Sequence, residues 1–114
     1  MKIYDGDLRQ SFTSPFEQLF AHQLKDAGLE FQTQFKFEDG ERKFRFDFYL
    51  PALKAVVEVN GGIWVRGSHG RGTGISRDYQ KMNYAAVFGV RMFAFTPDMI
   101  ESGEALDTIK SAIE

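Results

Sequence analysis

The 114-residue sequence contains no cysteine, which excludes disulfide cross-links, thiolate metal cages and cysteine nucleophiles together. Histidine is scarce: His22 and His69 are the only two, too few for a zinc cage built on imidazoles. A metal held by this chain is therefore expected on oxygen ligands. No apolar run approaches the ~20 residues that a membrane-spanning helix needs. The opening Met1-Lys2-Ile3-Tyr4-Asp5 lacks the apolar stretch of a secretory signal. A reducing, cytoplasmic setting without membrane association is the expectation. A dominant charge of one sign is also missing. The net charge of −2 argues against a uniformly basic binder of nucleic acid.

What is present suits one soluble globular domain. Hydrophobic residues make up 43% of the chain, and twelve phenylalanines point to an aromatic-rich core. The charges are unevenly spread. Between positions 66 and 81 stand Arg66, Arg71, Arg77 and Lys81 against Asp78 alone. From position 98 onward Asp98, Glu101, Glu104, Asp107 and Glu114 face only Lys110. A basic strip on an acidic body fits an enzyme of polyanions that also gathers cations, and equally a protein with no polyanion partner.

Residues 1–13 show no period and read as an arm, leaving 14–114 as the domain. Ser14-Pro15-Phe16-Glu17 is a helix start, with Ser14 as N-cap and Glu17 three residues on. Phe16, Leu19, Phe20, Leu24 and Ala27 follow at helical spacing up to Gly28. Three strands come next, at 30–37, 42–50 and 53–60, with a turn at Glu38-Asp39-Gly40. Strict alternation places Phe44, Phe46 and Phe48 on one face, and Arg45, Asp47 and Tyr49 on the other. Ser76 caps a second helix over 77–88, residues 90–95 form a fourth strand, and a terminal helix buries Leu106, Ile109 and Ile113. The order predicts a mixed α/β (α+β) domain.

The chemically informative feature is a pair of acids on the second and third strands. A tight turn at Pro51-Ala52 pairs Leu50 with Leu53 and sets Asp47 diagonal to Glu58 on one face, roughly 7–8 Å apart. Two like charges on a half-buried sheet need compensation, and a hard divalent cation, Mg2+ or Mn2+, supplies it. Taken alone, Asp47 reads first as part of a solvated sheet face with Arg45 as its cross-face partner. Glu58 is harder to dismiss, because Ala55-Val56-Val57-Glu58-Val59 is apolar enough to be a central strand buried on both sides.

Asp47 in Arg45-Phe46-Asp47-Phe48-Tyr49-Leu50-Pro51, followed by Val57-Glu58-Val59-Asn60-Gly61-Gly62, resembles the D…(D/E)-x-K core of the PD-(D/E)XK nucleases. The similarity is to the branch of very-short-patch-repair endonucleases and small phage and bacterial relatives, and it covers most of the chain. It implies a restriction-endonuclease-like αβββαβ core with a mixed four-stranded sheet and a C-terminal helix. It implies metal ligation by Asp47 and Glu58 with the Val59 carbonyl, and a contribution from Glu17 directly or through water. Glu17 is also accounted for as the third residue of a capping box. Asn60 departs from the family pattern, in which a lysine stands there. Relatives that draw this lysine from the following helix point to Lys81, whose plain alternative is an exposed residue paired with Asp78.

The loop after Asn60 holds six of the eleven glycines, between Gly61 and Gly74. They let a backbone come close to a phosphate strand. Arg66, Arg71 and Arg77 are candidate phosphate contacts and Trp64 a candidate base-stacking residue. His69 is a candidate general base or phosphate contact, as in the repair branch, or simply a solvated loop residue. A dinucleotide loop is disfavoured, since the Gly-x-Gly-x-x-Gly spacing is missing. Three readings remain: a Mg2+- or Mn2+-dependent DNA endonuclease, of which a Holliday-junction resolvase is one form; a degenerate nuclease fold that binds nucleic acid without cleavage; and an interaction module. DNA rather than RNA follows from the resemblance alone. The limited contact area of so small a domain makes a homodimer one expected arrangement.

Overall fold

The computed structural model describes residues 14–39, 42–59 and 73–114, with the backbone alone for 39, 42 and 73–78. Helix α1 (Pro15–Asp26) leads into strands β1 (Gln32–Asp39), β2 (Arg42–Leu50) and β3 (Ala55–Val59). Helix α2 (Thr73–Val87), strand β4 (Arg91–Phe95) and helices α3 (Pro97–Glu101) and α4 (Glu104–Ile113) complete the order. The strands form one mixed sheet in sequence order, β1-β2-β3 antiparallel and β3-β4 parallel. The fold is α+β with a C-terminal helix, as the residue pattern predicts. Among the described residues no helix is long and apolar enough to cross a membrane.

Each element starts where local chemistry permits. Ser14 accepts the Glu17 N–H at 3.1 Å and Pro15 occupies the first turn, so α1 begins as expected. Thr96 caps α3 in the same way, with Pro97 behind it. Helix α2 begins at Thr73 rather than after Ser76, adding a turn to the predicted segment. The terminal helical segment divides in two at Gly103, whose φ of 89° is readily adopted only without a Cβ. Ala105 and Ile109 are buried on α4, while Ile113, expected inside, is exposed.

Each face of the sheet carries its own core. On one side Phe20, Leu24, Phe31, Phe48, Leu50, Val57, Ile100 and Ile109 join α1, α3 and α4 to the strands. On the other, Phe44, Phe46, Val56 and Val90 pack with Ala85 of α2, with Phe35, Phe37, Tyr49 and Tyr84 at their margin. Phe37 stacks on Phe88 and Phe44 on Tyr84, which fastens α2 to the sheet.

This partition corrects the alternation read from the sequence. Phe44 and Phe46 lie in one core and Phe48 in the other, although all occupy even positions. The paired Cα positions run Thr33↔Phe48 and then Phe35↔Phe46, skipping Gln34 and Asp47 without losing register. Gln34 has φ 51°, so the pleat reverses there and both strands exchange faces together. The stacking of Phe35 on Tyr49, with ring centroids 4.4 Å apart, is a direct result.

Candidate functional site

The break in the β1–β2 ladder sits where the acids converge. The β2–β3 turn takes four residues, Pro51 to Lys54, and pairs Leu50 with Ala55 rather than Leu53. The cause is local: Leu53 N–H donates to Leu50 O, Lys54 N–H donates to Pro51 O, and Lys54 closes the turn at φ 50°. The Phe48↔Val57 pair, extended by one step, brings Asp47 level with Glu58 instead of diagonal to it. The predicted register is thus wrong by two residues.

Glu58 lies on β3, which is flanked by β2 and β4, and it is buried within Ala55-Val56-Val57-Glu58-Val59. Its Oε1 accepts from Lys81 Nζ at 3.0 Å, and both side chains are nearly enclosed. Lys81 reaches the sheet from α2, and its Nζ stands 5.4 Å from the centre of the Phe46 ring. Asp47 uses Oδ2 to accept the Val59 N–H at 2.7 Å, taking a donor that a continuous ladder would give to backbone. Burial first, and then the charge of Glu58, push the Asp47 carboxyl up to about 7. Glu17 adds to that rise, while the Val59 N–H and Lys81 oppose it.

Glu17 is buried at the start of α1, and its two oxygens face different partners. Oε1 accepts from Gln34 Nε2 at 3.2 Å, and Oε2 accepts from Ser14 Oγ at 3.4 Å. Its capping role and its place beside the acid pair are therefore compatible. Glu17, Asp47, Glu58 and Lys81 are brought into one neighbourhood. Asn60, Trp64, Arg66, His69 and Arg71 lie outside the described residues, as does the side chain of Arg77. The residues that sequence reasoning missed are Gln34 and Phe46. The consecutive apolar residues Phe48-Tyr49-Leu50 signal burial on both faces of β2, but nothing in the sequence marks Gln34 as a break.

Asp47 and Glu58 offer carboxylate oxygens, the donor type that a hard divalent cation takes. Two carboxylates that raise each other's energy in a buried setting are relieved by one cation, and an ion such as Mg2+ keeps waters for its remaining positions. Among the described residues no three His, Cys, Asp or Glu side chains cluster closely enough to cage a metal unaided. The chain matches no family model, no curated protein and no solved structure.

Proposed function

We propose that this chain is a small endonuclease that hydrolyses phosphodiester bonds in DNA with Mg2+ or Mn2+, in the manner of the PD-(D/E)XK nucleases it resembles. One arrangement carries the reading: the β2–β3 register, continued one step past Phe48↔Val57, sets Asp47 opposite Glu58, and Lys81 is delivered to Glu58 at 3.0 Å from the next helix. That arrangement supports Lys81, rather than position 60, as the source of the cationic group. Asp47 and Glu58, with the Val59 carbonyl, would hold the cation, which when bound neutralises charge on the phosphate and favours ionisation of water. Lys81 stabilises negative charge developing on the phosphate, and its contact with Phe46 limits where the ammonium can go. Asp47 must give up its proton before it can serve as a ligand. The glycine-rich loop with Trp64, Arg66, His69 and Arg71, and Arg77 beyond it, remains assigned to the DNA strand by the sequence argument.

A second reading has its own support. Lys81 already neutralises Glu58 without any metal ion, as expected of a nuclease fold that binds DNA and has ceased to cut. Purified protein incubated with linear, nicked and branched DNA under Mg2+ or Mn2+ separates the two. The endonuclease reading expects cleavage that falls by roughly 1,000-fold or more in Asp47→Ala and Glu58→Ala, since metal stabilisation is worth several kcal/mol. Cleavage of the branched substrate alone would mark a junction resolvase. Salt-dependent DNA binding with no cleavage of any substrate favours the second reading, and neither binding nor cleavage removes both.

A further inference from the structure

Gln34 occupies a conformation that a strand does not need. A glutamine at φ 51° inside β1 is strained, because its Cβ crowds the backbone where glycine would not. Backbone strain of this kind persists where the surroundings impose it, and it gathers at functional sites. Two consequences of the strain meet at the acid pair. The ladder opens between Gln34 and Asp47, and the Asp47 carboxylate turns to the Val59 N–H. The reversed pleat also lets the Gln34 amide, unlike the neighbouring Phe35 that packs beneath α2, reach Glu17 on α1. Glu17 is then held at both oxygens, by Gln34 and by Ser14.

We propose that Gln34 is a positioning residue of the carboxylate site, fixing Glu17 through its amide while its left-handed backbone frees Asp47 from the ladder. The inference rests on reading Asp47 and Glu58 as the cation site. Strain and site geometry are then two aspects of one residue, and substitution separates them. Gln34→Gly removes the amide and relieves the backbone, whereas Gln34→Ala removes the amide and keeps the strain.

The test measures Mn2+ binding by calorimetry and thermal unfolding in metal-free buffer. Gln34→Gly is expected to lose Mn2+ affinity by roughly ten- to a hundredfold, the usual cost of removing a residue that orients a metal's ligands. Its melting temperature is expected to hold or to rise by a few degrees. Gln34→Ala is expected to lose the same affinity without the gain in melting temperature. A purely structural residue would move affinity and stability in the same direction. Wild-type Mn2+ affinity in Gln34→Gly overturns the proposal. If the wild-type protein binds no Mn2+, the cation reading itself fails, and the Gln34–Glu17 tie is judged by NMR. Side-chain amide protons of Gln34 that are protected in wild type and unprotected in Glu17→Ala support the positioning role; unprotected protons in wild type overturn it.

Discussion

Burial and the neighbouring Glu58 favour the protonated form of Asp47, and the consequence has a definite sign. Between the ordinary value of 3.8 and about 7, the folded chain binds a proton that the unfolded chain has released. Stability therefore falls as pH rises through that window and levels off above it. Each pH unit in the window costs about 1.4 kcal/mol, so the penalty at pH 8 is on the order of 4 kcal/mol. Asp47→Asn cannot ionise and escapes it. In buffer with chelator, the melting temperature of Asp47→Asn should match wild type near pH 4 and exceed it clearly at pH 8; a pH-independent difference would contradict this account. Divalent-ion affinity of the wild type should climb with pH until about 7, since the proton must leave first. Lys81 carries the opposite risk. Lys81→Met leaves a nearly enclosed Glu58 charge without its 3.0 Å partner, at an expected cost of about 2–3 kcal/mol once residual solvent contact is discounted from the fully buried case. Adding Glu58→Gln should recover much of that loss in denaturant unfolding. Strictly additive losses would mean that the pair is not coupled.

At the scale of elements, what the sequence could express was periodicity and punctuation. Ser14-Pro15 and Thr96-Pro97 announce helix starts because capping is a local event. The unbroken apolar character of Val56 and Val57 marks β3 as central, because burial on both faces leaves no polar position to alternate with. The register of β2 and β3 was not legible in the same way. Pro51-Ala52 looks sufficient for a two-residue turn, and nothing local shows that Lys54 will accept φ 50° to make a turn of four. The pleat reversal at Gln34 was hidden for the same reason: it is stabilised by Glu17 and by cores on both faces, all remote in sequence. Lys54 offers a test at this scale. The left-handed region costs a non-glycine residue roughly 1–2 kcal/mol, and glycine returns about half through its unfolded-state freedom. Lys54→Gly should therefore raise stability by about 0.5–1 kcal/mol in urea unfolding. A loss would mean that Lys54 makes contacts that outweigh its strain.

Charge has to be considered over the whole molecule, because steering depends on the summed field rather than on any single pair. Asp98, Glu101, Glu104, Asp107 and Glu114 are all exposed on or beside α3 and α4, the helices that cover the sheet face opposite α2. DNA approaching that side meets repulsion, so the acidic flank favours encounter from elsewhere. Reversing part of it tests whether a polyanion is a partner at all. Glu101 ends α3 and Glu114 follows the last turn of α4, where a cation complements the helix dipole. Glu101→Lys with Glu114→Lys should therefore leave the fold intact while moving the net charge from −2 to about +2. If DNA is the ligand, association should quicken several-fold at low ionic strength while dissociation changes little. The advantage should fade as the screening length shrinks from ~10 Å at 0.1 M salt to ~3 Å at 1 M. Stopped-flow binding to a labelled duplex across that salt range reads both effects. Equal association rates for the two proteins at every salt concentration would remove the electrostatic case for DNA, whatever the carboxylate pair does.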